Sequence, residues 1–176
     1  MIKPWKLISS KVALKTKWLS VDERVYRLPN GKEDIYYHIN RPDYVVIIAI
    51  DKQQRIVVEQ LYRRGVDEVI YELPAGWIDK EESFTDAALR ELKEETGFSG
   101  KASFIGTLYS VPSLTSMIGQ VVLVEIDSVQ EKKELANDEQ IEAKLIPYEE
   151  VKKMVKENTI RDMAFLASLQ LYEASL

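Results

Sequence analysis

Apolar residues alternate with polar ones over positions 21–28 and 33–39, and Pro29-Asn30-Gly31-Lys32 between them carries the Asn-Gly signal of a tight hairpin. Residues 43–50 (DYVVIIAI) are apolar or β-branched on both faces, the pattern of a central strand. The turn residues Asp51-Lys52-Gln53-Gln54 separate it from a strand over 55–63, and a short strand over 69–73 runs into Pro74-Ala75-Gly76. From 84 to 96 the period becomes helical, with Ser83 and Asp86 as an approximate capping box and Gly97 as the stop. Residues 102–110 and 120–127 read as strands joined by an irregular loop, 130–140 as a charged loop, and 141–146 as a closing strand. Pro147 at the first helical position opens a second helix with Val151, Met154 and Val155 on its apolar side. A third helix over 162–172 carries Phe165, Leu166 and Leu169 inward. Many strands and three helices, out of strict βαβ alternation, predict an α+β fold: a mixed sheet sandwiched between helices, with an N-terminal antiparallel hairpin.

Composition narrows the chemistry. A chain of 176 residues with 45% hydrophobic and 30% charged residues is ordinary for one soluble folding unit, and neither repeats nor a low-complexity linker divides it. The opening residues show no basic-then-apolar leader, so a secretory signal is not expected and a cytoplasmic domain is. The absence of Cys excludes disulfides, thiolate metal sites and a Cys nucleophile, and the lone His38 excludes a multi-histidine zinc site. His38 itself reads as a strand residue. With 24 Lys+Arg against 29 Asp+Glu the net charge is −5, which argues against an electrostatic grip on nucleic acid. Carboxylates, Arg, Lys and hydroxyls are left to do the chemistry.

The helix over 84–96 concentrates those carboxylates in an unusual place. At ~100° per residue, with Glu91 set at zero, Phe84 falls near ~20°, Glu95 near ~40°, Ala88 near ~60° and Leu92 near ~100°. Glu91 and Glu95 therefore lie inside the apolar arc, and Glu94 flanks it. Carboxylates at i, i+3 and i+4 repel one another, more so when partly buried. Helix geometry alone leaves two readings: a surface helix rich in Glu, or a cluster compensated by a divalent cation. For oxygen ligands that cation is Mg²⁺ or Mn²⁺.

The longer pattern separates these readings. GWIDKEESFTDAALRELKEETGF places Gly76, Glu82, Arg90-Glu91-Leu92, Glu94-Glu95 and Gly97-Phe98 at fixed spacings. It resembles the Nudix box, G-x5-E-x7-R-E-U-x-E-E-x-G-U, with every position filled; chance agreement is on the order of 10⁻⁹ per start site from ordinary composition. The fold-level resemblance runs from about residue 43 to the C-terminus. It implies a pyrophosphatase in which Glu91, Glu94 and Glu95 supply oxygens to cations, Arg90 orients a carboxylate, and Glu82 supports them or ligates from the loop. Gly76 and Gly97 are expected to permit tight turns at the two ends of the motif.

The flanks resemble one branch of that family. Glu59-Gln60-Leu61-Tyr62-Arg63 and Tyr71-Glu72-Leu73-Pro74-Ala75-Gly76 are similar to segments of ADP-ribose pyrophosphatases and related nucleotide-sugar hydrolases. By that resemblance Ala75 offers its backbone carbonyl to a metal and Arg63 contacts substrate phosphate or ribose, with Arg64 a second candidate beside it. Pro112 stands where the family often has Ser-Pro-Gly, here Val111-Pro112-Ser113, which leaves room for substrates such as GDP-mannose. The acidic stretch Leu135-Ala136-Asn137-Asp138-Glu139-Gln140-Ile141-Glu142 resembles the loop carrying the general base; Glu139 is the choice, with Asp138 and Glu142 behind it.

The reaction implied is divalent-metal-dependent cleavage of ADP-ribose or a related nucleoside-diphosphate sugar to NMP and sugar phosphate. Hydrolysis of nucleoside triphosphates or dinucleoside polyphosphates is the alternative within the class, and a non-catalytic nucleotide-sugar sensor the alternative outside it. Residues 1–42 are expected to form a dimerisation segment and 43–176 the hydrolase domain. Trp5, Trp18, Val21, Val25, Tyr26, Tyr36 and Tyr37 give the first segment more apolar surface than a two-stranded hairpin can bury. By the resemblance this implies a homodimer in which Trp5 or Trp18 borders the neighbour's base-binding pocket.

Overall fold

The computed structural model describes residues 1–17, 19–129 and 140–176 and divides into two compact units: residues 1–42 with 109–118, and residues 43–108 with 119–176. The first is a three-stranded antiparallel sheet of β1 (Lys6–Lys15), β2 (Ser20–Arg27) and β3 (Glu33–Asn40) in that order. The Asn-Gly hairpin forms where its sequence predicts, closed by the Leu28 amide on the Lys32 carbonyl at 2.8 Å and by an Arg27–Glu33 ion pair at 2.8 Å. Strand β1 was not expected. Register shifts between Leu7 and Ser9 and between Val12 and Leu14 break its two-residue period, and every residue in it is exposed, so no alternation marks it. Residues 109–118 pack with this sheet: the Ile39 amide donates to the Leu114 carbonyl at 2.8 Å, and Ser116 Oγ lies 3.4 Å from His38 Nε2. His38 is a buried residue of β3, its pKa pushed down by burial and by Arg24, with Asp22 opposing.

The second unit is built on β4 (Tyr44–Ile50), whose side chains alternate between two cores. Val46, Ile48 and Ile50 face one helical layer, made by α2 (Tyr148–Lys156) and α3 (Met163–Ser175); Val45, Ile47 and Ala49 face the other, made by α1 (Phe84–Thr96). The sheet order is β10 (Ile141–Pro147), β5 (Arg55–Arg63), β4, β9 (Ile118–Val129), β8 (Phe98–Tyr109). Strand β4 runs parallel to β9 along its whole length. On its other side the sheet forks. Strand β4 meets β5 at Ile50–Ile56, while β7 (Ala75–Trp77) pairs with Tyr44–Val46 and β6 (Glu68–Glu72) pairs with the far half of β5. The chain crosses from β5's arm to β4's arm at Leu73-Pro74, where the Ile47 amide donates to the Pro74 carbonyl at 2.9 Å. An α+β layering with a mixed, predominantly antiparallel sheet follows from this arrangement.

Four details differ from expectation. Strand β7 is only three residues long and was read as a turn; Gly76 lies in its middle, without a positive φ. Pro147 is the N-cap of α2, one position before the helix. In α3 Phe165 and Leu169, one turn apart, set the buried face, while Leu166, rotated by ~100° from Phe165, is exposed. Phe84 likewise leaves the core and pairs with Phe104, ring centroids 5.1 Å apart.

Candidate active site

Helix α1 forms where its period predicts. Ser83 Oγ accepts from the Asp86 amide at 3.1 Å, and Gly97, at φ 77°, closes the C-terminus by donating to the Lys93 carbonyl. Asp86 bonds the Ser83 hydroxyl at 2.6 Å, so its side chain meets the cap's hydroxyl where a full capping box would meet the cap's amide. Ala87, Ala88, Leu92 and Thr96 are buried against the sheet, which holds the Glu91 side of the helix over β7. There the carboxyl of Glu91 takes the space that a side chain on Gly76 would need: a Cβ on Gly76 would stand 1.9 Å from Glu91 Cδ. Close approach of a carboxylate, and not a turn, is why glycine occupies this position. Burial pushes the Glu91 carboxyl up from its ordinary value, and the Arg90 guanidinium opposes that shift.

Arg90 organises the rest of the motif. Its Nε and Nη2 donate to Glu82 Oε1 and Oε2, both at 2.9 Å; Nη1 donates to Glu91 Oε1 at 2.8 Å; and Nη2 also reaches the Trp77 carbonyl at 2.9 Å. Glu94 stands 3.6 Å from Nη1, one turn on. The guanidinium thus joins loop, strand and helix. Hydrogen bonding to Arg90 holds the Glu82 carboxyl below the usual range and outweighs its burial. As the side chains stand, no three carboxylates among the described residues are arranged to hold a metal ion. The donor set suits a hard divalent cation, being oxygen throughout, and Glu91 is engaged through Oε1 while its carboxyl rests against the glycine strand. Ala75, in β7 opposite Val46, is next to that glycine.

A second guanidinium lies at the end of β5. In the β5–β6 ladder Arg63 is opposite Glu68 and Glu59 is opposite Glu72, so these four share one face, the face on which Val57 meets the α1 core. Arg63 nevertheless leaves its cross-strand neighbour, which pairs with Arg161, and lies back along the hairpin. Its Nε donates to Glu72 Oε1 at 2.7 Å and its Nη2 to Glu72 Oε2 at 2.5 Å. Glu95 and Asp162 add to the field that raises the Arg63 pKa, after the dominant bond to Glu72. Asp162 caps α3 by accepting from the Phe165 amide at 2.7 Å, and burial pushes its carboxyl up. Glu59 is 2% exposed. Glu59, Glu72 and Asp162 were not singled out from sequence. Each carried a signal: a charge inside the apolar run RIVVEQL, the acid before Leu-Pro, and an N-cap residue.

The other expected site residues are dispersed. Arg64 is exposed in the turn after β5. Glu142, exposed on β10 and 2.8 Å from Lys144, is opposite Gln60 and so faces away from the Glu59–Arg63 side of the ladder. Pro112 occupies an exposed turn, and Trp5, edge-on to Tyr26 at 6.3 Å, precedes β1; both belong to the N-terminal unit. Trp18, Asp138 and Glu139 lie outside the described residues. Among the described residues no helix is long and apolar enough to cross a membrane.

Comparison with known proteins matches two families in succession along the chain. Residues 5–39 match the family described as nucleoside diphosphate sugar hydrolase N-terminal domain, and residues 40–167 match the NUDIX domain. The chain is 33% identical over 145 residues to the ADP-ribose pyrophosphatase of Bacillus subtilis, covering 81% of this chain and 78% of that protein. It is 31% identical over 163 residues to the methanol dehydrogenase activator of Bacillus methanolicus, covering 89% and 86%. The yeast ADP-ribose pyrophosphatase is 38% identical over 124 residues, 63% of this chain and 54% of the yeast protein. A crystal structure of an ADP compounds hydrolase superimposes over 100% of this chain and 96% of that one with a TM-score of 0.87; at 18% identity the likeness is one of fold. With an unbroken motif on α1, a sheet between helices and a family match over most of its length, the chain belongs to the Nudix hydrolases.

Proposed function

We propose that the protein is a divalent-metal-dependent pyrophosphatase that cleaves ADP-ribose or a related nucleoside-diphosphate sugar into NMP and a sugar phosphate. The observation that supports this reading is the seating of the Glu91 carboxyl against Gly76, the residue next to Ala75 in β7. Ala75, Glu91, Glu94 and Glu95 are the proposed ligands. Glu82, held by both oxygens on Arg90, is better placed to support them. Mg²⁺ or Mn²⁺ bound there neutralises diphosphate charge and lowers the pKa of bound water. The protein's own part is to orient carboxylates through Arg90, to meet a substrate phosphate with Arg63, and to take a proton from water with Glu139. The two ADP-ribose pyrophosphatases among the relatives support the substrate class. The test is a hydrolysis screen over ADP-ribose, nucleotide sugars, NADH, diadenosine polyphosphates and dNTPs with Mg²⁺ and with Mn²⁺. ADP-ribose or a nucleotide sugar should show the highest kcat/KM; a preference for dNTPs, or no divalent-dependent turnover at all, overturns the reading.

A homodimer belongs to the same proposal. Leu7, Val12, Leu14, Ile35 and Tyr37 leave the N-terminal sheet with exposed apolar side chains, which a second copy would cover. Light scattering should give twice the monomer mass at micromolar concentration. Deleting residues 1–20 should raise KM more than it lowers kcat, because base contacts from Trp5 or Trp18 would go while the box remains. A fully active monomer defeats this part.

A further inference from the structure

Arginine has two usable edges, and Arg63 has one of them occupied. Glu72 takes the side edge, Nε and Nη2, in a bidentate pair at 2.7 and 2.5 Å. Nη1, on the end edge, has no hydrogen-bond partner among the described residues, and the side chain as a whole is 49% exposed. Glu72 itself is 14% exposed and sits at the end of β6, one residue before the Leu73-Pro74 crossing, so the backbone that carries it is fixed by the sheet. Of the other acids on this ladder face, Glu68, directly opposite Arg63, does not compete, because it is held by Arg161.

From this we propose that Glu72 is a positioning residue: it clamps the side edge of Arg63 so that the end edge is presented, pre-oriented, to the diphosphate of the substrate. The proposal rests on the reading of Arg63 as a phosphate contact and adds the residue that makes the contact stiff. A loose arginine must lose rotamer freedom on binding; one already held at Nε and Nη2 has lost it beforehand. The sign of the effect separates positioning from simple electrostatics. If Glu72 merely competed with phosphate for the guanidinium, removing its charge would tighten anion binding. If it positions Arg63, removing it weakens binding even though the site becomes more positive.

The experiment uses a probe that needs no turnover. The full-length protein is titrated calorimetrically with α,β-methylene-ADP in the presence of Mg²⁺, as wild type, Glu72→Gln, Glu72→Asp, Arg63→Ala and the Arg63→Ala/Glu72→Gln double variant. Glu72→Gln is expected to weaken binding by about tenfold, a ~1.4 kcal/mol effect. Glu72→Asp, which keeps the charge but withdraws the carboxylate by one methylene, is expected to weaken it as well and serves where the amide variant folds poorly. In the Arg63→Ala background Glu72→Gln should have no further effect. Unchanged or tighter binding in both Glu72 variants, or additive losses in the double variant, overturns the proposal. No weakening in Arg63→Ala removes the Arg63 reading and this inference together, as does no measurable binding by the wild type. Should ADP-ribose fail as a substrate while the binding pattern holds, the substrate assignment falls and the positioning role stands.

Discussion

Arg90 and Arg63 are both arginines clamped bidentately by a glutamate, yet they are used differently. Arg90 spends its donors inside the protein, on Glu82, Glu91 and the Trp77 carbonyl, and its side chain is 30% exposed. Arg63 spends one edge on Glu72 and leaves the other to solvent. A saturated guanidinium can only hold its surroundings in place, whereas a half-engaged one still has directional bonding capacity for an incoming anion. Glu95, on the same helix as Arg90, adds to the field that raises the Arg63 pKa.

Five substitutions test this division, beginning with the one expected to cost most. Glu95→Gln keeps the shape and removes the charge of a proposed metal ligand, so kcat should fall by at least about 10²-fold with folding intact; wild-type turnover at saturating Mg²⁺ would remove Glu95 from the site. Gly76→Ala comes next. Its methyl would displace the far end of a flexible side chain, Glu91, so the melting temperature should barely move while kcat drops by roughly one order of magnitude or more. A variant that loses stability and activity in parallel would show that the strand, and not the carboxyl, has been disturbed.

Replacing each arginine by lysine contrasts the centres directly. Arg90→Lys loses the fork that joins Glu82, Glu91 and Trp77 and should destabilise the protein by about 1–3 kcal/mol in urea unfolding. Arg63→Lys should leave the unfolding midpoint nearly unchanged and raise KM. Equal stability losses in the two would erase the distinction between scaffold and receptor. The smallest effect is a structural control from a third guanidinium–carboxylate pair, Asp51 with Arg55. Burial alone would push the Asp51 carboxyl up, but the Arg55 amide and side chain and the Gln53 amide outweigh it and hold the pKa below the ordinary value. Its contribution is therefore present above the unfolded carboxylate pKa and lost as pH falls through the lower, folded one. Asp51→Asn should cost about 1 kcal/mol at neutral pH and flatten the acid limb of the stability profile, with kcat unaffected.

Periodicity reveals elements that bury one face and punctuation reveals caps, so α1, its Ser83 and Gly97 ends, and the two-sided β4 were legible from residues alone. Strand β1 was not, because its bulges break the alternation and no side chain in it is buried. The box glutamates were visible as chemistry out of place on an apolar arc. The Arg63–Glu72 clamp was invisible for a different reason: ladder register puts Glu68 opposite Arg63, and only the rotamer chosen in three dimensions sends the guanidinium back to Glu72. Gly76 was legible as a necessary glycine but for the wrong cause, since the carboxyl that excludes a methyl belongs to a residue fifteen positions later.

The fork in the sheet has a consequence for motion. The Leu73–Trp77 segment is wedged between arms of the sheet, bonded to Val45, Val46 and Ile47, whose side chains are 0–2% exposed. Opening that segment requires separating the most deeply enclosed strand of the unit, so the amide protons of Ile47 and Ile78 should exchange with deuterium only on the timescale of global unfolding. The turn at 64–67, a few residues earlier, is closed only on itself, by the Val66 and Asp67 amides on the Arg63 carbonyl, and should exchange far sooner. Within a short stretch the backbone therefore passes from a turn that opens locally to one that is quiet for as long as the protein stays folded, and the strand carrying Gly76 sits on the quiet side.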